Sequence, residues 1–369
     1  MRLIPTTLIL IASIFLANRA IAQSSDWSLR ALNRIANPPL GLPPVPEPQG
    51  NRATTEKITL GRKLFFDQRL SGSGAMSCAT CHVPEQGFSD NQRARPVGAG
   101  GRLLKRNAPT LFNVAYQRTL FHDGREISLE TQVFGPFLAT TEMANPSVGW
   151  LLQTIGGLED YWGLFEQAFG QPVNAKNLGE ALASYQRTVL LANSPFDKWQ
   201  YGNQKDALGA TAIRGLKLFK GKAGCVRCHL IKKDNALFTD HKFHNTGTGT
   251  GSGTDTGSQK PVERGPAGKE NQKDLGRMKV TGNPADLYRF KTPTLRNIAL
   301  TAPYMHDGSM RTLADVVAFY NKGPSRSLRP LHLSKAEQAA LVAFLKSLTG
   351  DNVDELVSKA QTLEQPAFK

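Results

Sequence analysis

Apolar residues recur along the chain at helical spacing, and strand-like alternation is scarce, which predicts a mainly helical fold. A helix is predicted to begin at Thr54 or Thr55 and to lead toward Cys78. Its apolar positions are Ile58, Leu60, Leu64 and Phe65. A further helix is predicted after Thr312, whose side chain can cap it. The inward face of that helix, at the i, i+3, i+4 and i+7 positions, consists of Leu313, Val316, Val317 and Tyr320.

Two blocks of the sequence occur twice. Ala108–Asn113 matches Thr292–Asn297, and His122–Gly124 matches His306–Gly308, with the same offset of 184 residues. The segment Ile213–Phe219 also echoes the helix predicted near the start of the chain. This internal duplication predicts two homologous helical units.

Each unit carries a C-x-x-C-H motif, Cys78–His82 in the first and Cys225–His229 in the second. This motif is the attachment signature of a c-type haem: both thiols join the porphyrin, and the histidine supplies an axial nitrogen to the iron. The motifs use all four cysteines of the chain and leave none for a disulfide. A zinc site would need a second ligand pair that these cysteines cannot supply. The haem-attachment residues are therefore Cys78, Cys81, His82, Cys225, Cys228 and His229.

The fold class predicted from these patterns is mainly α, with two tandem cytochrome c-like haem domains related by internal duplication. The predicted segments are a signal peptide over 1–22, a proline-rich arm over 23–52, an N-terminal haem domain over 53–204, a C-terminal haem domain over 205–350 and a tail over 351–369. Asn37–Pro48 contains six prolines and is predicted to lie extended on the surface. The Gly/Thr-rich segment Thr246–Gly257 is predicted to be a flexible surface loop.

The first residues have the pattern of a secretory signal. Arg2 precedes the apolar run Leu3–Ala17, and Ala20–Ala22 is a small-x-small cleavage pattern. No other stretch approaches membrane-spanning length, so the cleaved protein is not expected to be an integral membrane protein. Since haem attachment of this type takes place outside the bacterial inner membrane, we expect a periplasmic protein. An uncleaved anchor is the alternative.

The formal net charge is +15, which narrows the classes of partner. Each haem brings two propionates, so part of the positive charge is expected to balance carboxylates inside the fold. The remainder favours an acidic protein partner through electrostatic steering. Nucleic acid is a poor partner, because the basic residues are dispersed and an exported haem protein rarely meets DNA.

The sixth coordination position of each iron decides between chemistry and electron transfer. The offset of 184 residues pairs Tyr320 in the second unit with Pro136 in the first. Tyrosine can ligate ferric iron and proline cannot, so the duplication predicts one capped haem and one open haem. An ordinary core tyrosine is the alternative for this position. The rival ligands are Met278, Met305 and Met310.

An open haem needs groups that move protons on bound peroxide. Gln132 and Glu142 flank Pro136 in the sequence. A carboxylate over the iron can carry a proton between the two peroxide oxygens and promote their heterolysis. Spacing alone favours a surface residue at Glu142, and the catalytic role needs further support.

Several segments together resemble the bacterial di-haem cytochrome c peroxidase/MauG family. They are Leu60–Asp67, Arg106–Thr110, Asp123–Arg125, Thr292–Asn297 and Leu300–Tyr304. The resemblance covers nearly the whole chain after the signal. It implies two covalent c-type haems, with peroxide reacting at the N-terminal haem and electron transfer at the C-terminal haem.

The resemblance also assigns roles to residues. It places Gln132 and Glu142 at the positions of the family's catalytic residues and Pro136 at a proline beside that site. At the position of Tyr320, conventional peroxidases carry a methionine ligand. MauG, which completes a tryptophan-derived quinone cofactor on a partner protein, carries a tyrosine. Conventional members also carry a displaceable histidine soon after the first motif, and 83–101 contains none.

One position departs from the family pattern. The residue between the two haems is a tryptophan in both branches, and His122 stands there in this chain. Its repeat mate His306 resembles a family residue near the C-terminal haem propionates. The family's calcium ion is similar in its ligands to the Asn107 side chain and the carbonyl oxygens of Thr301 and Pro303, and such oxygens suit a hard cation. Alternatively, Asn107 caps a turn before Pro109.

The sequence thus favours an oxidoreductase that reacts with hydrogen peroxide and oxidises a tryptophan or tyrosine of a partner protein. The first alternative is conventional peroxide reduction with electrons from a small cytochrome or copper protein. The second is a pure electron carrier with both irons six-coordinate, which the absence of a histidine in 83–101 disfavours.

Overall fold

We describe the protein from a computed structural model, which defines residues 26–248, 274–325 and 327–361, with side chains to 357. The predicted signal peptide and most of the Gly/Thr-rich segment Thr246–Gly257 lie outside the described residues. The structure is mainly helical, as predicted. In chain order the helices are α1 (26–36), α2 (Thr55–Phe66), α3 (Cys78–Cys81), α4 (Leu129–Gln132), α5 (Phe134–Leu138), α6 (Val148–Gly156), α7 (Leu164–Phe169), α8 (Ala175–Gln186), α9 (Pro195–Gln200), α10 (Ala210–Lys220), α11 (Met278–Thr281), α12 (Leu313–Asn321), α13 (Lys335–Lys346) and α14 (Val353–Gln361).

Regular β-structure in the described ranges is confined to one short pair. Strand β1 (Phe243–His244) is antiparallel to β2 (Phe290–Lys291), with Phe243 opposite Lys291. Short 3-10 turns and loops connect the remaining elements.

Two helix starts lie where the sequence predicts them. The side chain of Thr54 accepts a hydrogen bond from the backbone N–H of Lys57 and caps α2. Thr312 caps α12 in the same way, accepting from the N–H of Asp315. Both caps satisfy an N–H group that would otherwise lack a partner in the first helical turn.

The duplication is repeated in the packing of the helices. In the first half α2 lies against α8, and an added Cβ on Gly61 would sit 1.9 Å from the Ala181 carbonyl oxygen. In the second half α10 lies against α13, where a Cβ on Gly215 would sit 2.0 Å from the Ala340 carbonyl oxygen. Only glycine allows helix axes to approach so closely, so both halves share one packing device.

Each half encloses its own core. The core of the first half includes the buried residues Phe65, Phe112, Leu151 and Leu182. The core of the second half is built around four aromatic rings in contact, those of Phe196, Phe219, Phe238 and Phe344. The predicted fold class, two tandem units related by duplication, is confirmed.

The proline-rich segment Asn37–Pro48, predicted to lie extended on the surface, is partly buried in the structure. Leu42 is 8 % exposed and packs among Tyr116, Leu190 and Ala192. The Tyr116 hydroxyl donates to the Pro43 carbonyl over 2.8 Å. Helix α1 lies within the predicted arm, ahead of its proline-rich part Asn37–Pro48. It is not apparent from the sequence pattern and packs through Ala31 and Ile35 against α2.

The chain ends of the described part meet beside the first half. Arg34 of α1 lies 3.2 Å from the carboxylate of Glu355 in α14. The predicted tail is therefore partly helical. Within the described ranges, none of the helices combines the length and apolar character needed to cross a membrane.

Candidate functional site

A cavity of about 1630 Å³ opens between the two halves. It is lined by residues of both C-x-x-C-H motifs, including His82 and His229. Pockets for single small ligands are typically about 300 to 1000 Å³, so this cavity has room for more than one such group. The two predicted haem sites thus share one continuous chamber.

Each motif histidine is oriented by a backbone carbonyl. His82 Nδ1 lies 3.1 Å from the Phe88 oxygen, and His229 Nδ1 lies 2.8 Å from the Phe238 oxygen. Both phenylalanines have positive φ, 49° and 52°, so a shared unusual backbone conformation presents the acceptor. Because Nδ1–H donates to the carbonyl, Nε2 keeps its lone pair for a metal. Burial lowers the pKa of both imidazoles, which favours the neutral, ligating form.

The four motif cysteines are free thiols on the same cavity wall. Burial raises the pKa of Cys78 and of Cys81 to about 12 and that of Cys225 to about 11. Each motif supplies two of these thiols, and the oriented histidine follows them directly in the chain. This donor set fits a c-type haem in each half.

The first half presents a carboxylate to its motif. Glu142 and Gln132 line the cavity beside Pro136, which lies in α5. The Glu142 charge is close enough to Cys81 to add to the burial-driven rise in the pKa of that thiol. Glu142 is therefore half-buried on the cavity wall.

Burial raises the pKa of Glu142 above its ordinary value of 4.5, and the positive charge of Arg125 opposes that rise. The Arg125 guanidinium lies 3.4 Å from the centre of the Phe121 ring and donates to Asp123 over 3.0 Å. Sequence reasoning did not single out Arg125 as a functional residue, although it follows the repeated His-Asp-Gly block. Its place beside Glu142 depends on the tertiary fold.

The second half presents a phenol to its motif. Tyr320 lies on the face of α12 that lines the cavity, together with Leu313, Val316 and Val317. This agrees with the predicted inward face. Burial raises the pKa of Tyr320 to about 12, and the charges of Cys225 and Cys228 contribute to the rise. Among the rival methionines, Met305 lines the cavity, whereas Met278 and Met310 are absent from its described lining.

Asn107 lies between the two repeated histidines. His122 Nε2 donates to the Asn107 carbonyl over 3.0 Å, and the Asn107 N–H donates to the His306 carbonyl over 2.8 Å. Burial lowers the pKa of His122 to about 4. His306 is 7 % exposed and stacks on Phe290 with 4.0 Å between the ring centres. The structure therefore brings both histidines to the wall between the two motifs.

The residues proposed for calcium also line the cavity. Asn107, Thr301 and Pro303 all contribute to its wall. The Asn107 amide nitrogen donates to the Ala94 carbonyl over 3.0 Å. A calcium ion at this place stays a prediction.

Sequence reasoning also missed a cluster of charges near the repeated histidines. Arg106 contacts Asp123 and Asp274, each over 2.7 Å. Lys291 is directed inward and donates to the Thr119 carbonyl over 2.5 Å, and burial lowers its pKa to about 8. Such inward cations suit the propionates of the predicted haems.

The fold and the two motifs define the class of protein: an oxidoreductase with two c-type haem sites on one cavity. The family model for di-haem cytochrome c peroxidase matches residues 55–205. The chain is 39% identical to the methylamine utilization protein MauG of Methylorubrum extorquens, covering 91% of this chain and 89% of that protein. It is 37% identical to the cytochrome-c peroxidase IdrP1 of Pseudomonas sp. strain SCT, covering 91% of each chain.

A solved structure supports membership of the same family. The crystal structure of a MauG-like protein associated with microbial copper homeostasis superposes with a TM-score of 0.72 and 31% identity, covering 88% of this chain and 97% of that chain. The chain belongs to the di-haem cytochrome c peroxidase family, which includes both MauG proteins and cytochrome c peroxidases.

Proposed function

We propose that this oxidoreductase reacts with hydrogen peroxide at the His82 site and oxidises a protein side chain, tryptophan or tyrosine, through the His229 site by long-range electron transfer. The observation that carries the proposal is the chemical difference between the two halves of the cavity. Glu142 stands near Cys81, and Tyr320 stands near Cys225 and Cys228. One half presents a carboxylate that can carry a proton, and the other presents a phenol oxygen that can ligate iron.

At the His82 site the chain manages protons. When bound, the haem iron supplies the position that takes up peroxide and the two-electron oxidising chemistry. Glu142, as a carboxylate, would accept a proton from one peroxide oxygen and return it to the other. Gln132 donates a hydrogen bond that orients the peroxide, and Pro136 adds no ligating atom at this wall.

At the His229 site the phenol of Tyr320 sets the electronic character. Burial raises the pKa of Tyr320 to about 12, and the positive charge of a bound ferric haem would lower it and favour the phenolate. An anionic oxygen ligand stabilises the ferric and higher states over the ferrous state. Such a site suits the withdrawal of electrons from a substrate rather than the acceptance of electrons from a reduced donor.

The remaining assignments complete the proposal. We place the protein in the periplasm after removal of residues 1–22, with haem domains over 53–204 and 205–350. A calcium ion held by Asn107, Thr301 and Pro303 would fix the wall between the motifs. Carbonyl and amide oxygens are the ligands that calcium prefers.

The test is the electron paramagnetic resonance spectrum of the ferric holoprotein. We expect one high-spin and one low-spin haem, and the low-spin signal should change in Tyr320→Phe. Tyr304→Phe is the matched control, since Tyr304 also lines the cavity but donates its hydroxyl to the Ile298 carbonyl over 3.1 Å. A low-spin signal that is the same in Tyr320→Phe as in the parent protein would contradict the proposal.

A second candidate function is conventional peroxide reduction with electrons from a small redox protein. His122 favours it, because a buried neutral imidazole is harder to oxidise than tryptophan and is a poor relay for electron holes between the haems. This reading expects sulfur ligation of the second iron, with Met305 as the methionine on the cavity wall. Rapid turnover with a reduced cytochrome would favour it over protein oxidation.

A further inference from the structure

The chain through the second attachment motif is rich in cations, and the first carboxylates that follow it are those of Asp234 and Asp240. Residues 210–233 contain no Asp or Glu. The cations of this stretch are Arg214, Lys217, Lys220, Lys222, Arg227, Lys232 and Lys233. The repeat positions around the first motif, 63–86, contain Lys63 and Arg69 but also Asp67 and Glu85. The two haem sites therefore differ in the charge of the surface around them.

The fold exposes these cations. Helix α10 buries Leu216 and Phe219 toward α13 and leaves Arg214, Lys217 and Lys220 exposed on its outer side. Arg227, between the two motif cysteines, is exposed, and so are Lys232 and Lys233, which follow His229 closely. We call the six exposed residues Arg214, Lys217, Lys220, Arg227, Lys232 and Lys233 the basic rim.

The positive charges of the basic rim are not balanced by ion pairs within the described fold. Lys222 pairs with Glu337 over 2.8 Å and is left out of the rim for that reason. In the described part of the chain, the six rim residues form no ion pair with a carboxylate. At the first motif, in contrast, Lys63 contacts Asp160 over 2.5 Å and Arg69 contacts both Asp67 and Asp160. Both cations of 63–86 are therefore ion-paired, whereas within the described residues only Lys222 of the seven cations of 210–233 is.

The rim reaches the edge of the haem site. The charge of Arg227 acts on both Cys225 and Cys228, where it opposes the burial-driven rise in the pKa of each thiol. These thiols are the atoms that would carry the porphyrin edge. A protein held on the rim would therefore lie beside the second haem, within reach for electron transfer.

We propose that the basic rim is the docking surface for an acidic protein, which is the redox partner of the second haem site. This deepens the proposed function, on which it rests, by naming the charge of the partner and the face it uses. The six rim residues are exposed and carry one sign of charge, so charge complementarity favours an acidic partner over a basic one. Like-signed exposed charges around one site steer an oppositely charged protein and speed its association.

The binding test uses one probe in two charge states. Mitochondrial cytochrome c is basic, and succinylation of its lysines makes it acidic by replacing each ammonium with a carboxylate. We expect the holoprotein to bind the succinylated form at low ionic strength, as measured by titration calorimetry. Affinity should fall by about tenfold or more on raising the salt to about 0.5 M, because screening acts on exposed charges.

The variant Lys232→Glu/Lys233→Glu reverses two rim charges and should weaken binding of the succinylated probe by about tenfold at low salt. The matched control Arg52→Glu/Lys176→Glu makes the same change in net charge on exposed residues of the first half, and should keep most of the affinity. Equal losses in the two variants would mean a general charge effect and would overturn the rim. Equal or tighter binding of unmodified cytochrome c would also overturn it.

This measurement is independent of catalysis. Binding needs no peroxide, so a holoprotein that binds the acidic probe at the rim but fails to react with peroxide would contradict only the proposed function. A holoprotein that reacts with peroxide and does not distinguish the two probes would contradict only the docking surface.

Discussion

The Arg296 guanidinium holds both carboxylate oxygens of Asp197 at 2.9 Å, and the two side chains are 1% and 0% exposed. The same guanidinium donates to the carbonyls of Gly41 and Ala236, each over 2.6 Å. Arg296 belongs to the repeated block, Asp197 to α9 and Gly41 to the proline-rich arm. The buried Arg296 guanidinium thus ties together four segments of the chain, those of Gly41, Asp197, Ala236 and Arg296 itself.

We expect Asp197→Asn to lower the free energy of unfolding by about 3 to 5 kcal/mol, because it leaves a buried guanidinium without its counter-charge. The measurement is guanidinium denaturation of the holoprotein. Asp206→Asn, at an exposed aspartate, is the control and should cost less than about 0.5 kcal/mol. Similar midpoints for the two variants would show that the ion pair contributes little.

This arrangement requires a glycine at position 41. Its φ is +92°, and an added Cβ would sit 2.0 Å from an Asp197 carboxylate oxygen. We expect Gly41→Ala to destabilise the protein by at least about 1 to 3 kcal/mol, the cost of the backbone conformation alone. Gly50→Ala meets no atom within 4 Å and serves as the control. A thermal midpoint for Gly41→Ala equal to that of the control would refute the close approach.

We expect Glu142→Gln to slow the reaction of the ferric holoprotein with peroxide by about 100- to 10,000-fold, the usual contribution of a positioned acid–base group. Stopped-flow absorbance measures this rate. Glu166→Gln changes an exposed helical glutamate in the same half and should leave the rate unchanged. An unchanged rate in Glu142→Gln would remove Glu142 from the proton transfer.

The rate of the peroxide reaction should fall at acid pH, and the fall should be centred above the usual pKa of a glutamate. Glu142 must be a carboxylate to accept a proton, so the rate is lost as pH falls through its pKa, which burial raises above 4.5. Arg125 holds that pKa down. In Arg125→Gln the acid limb should therefore move to higher pH, since the opposing charge is gone.

Rates measured from about pH 5 to about pH 9 test the shift. Arg125→Lys keeps the charge and should restore the parent profile, and Arg102→Gln, at an exposed arginine, should leave the profile unchanged. A profile in Arg125→Gln that coincides with the parent would show that Arg125 does not act on Glu142.

The sequence by itself determined the parts of this protein that follow from local spacing. The two C-x-x-C-H motifs, the caps at Thr54 and Thr312 and the duplication could all be predicted, because each depends on residues close together in the chain. The inward face of α12, and with it Tyr320, followed from helical periodicity.

Only the tertiary structure decided which of these elements meet. Nothing local to Glu142 distinguishes it from a surface residue, and burial near Cys81 with Arg125 beside it arises from contacts between segments far apart in sequence. The anchoring of the arm by Arg296 and Asp197 has the same origin. The pairing of charges is likewise a long-range property: Lys63 pairs with Asp160, whereas the six rim residues form no ion pair within the described fold.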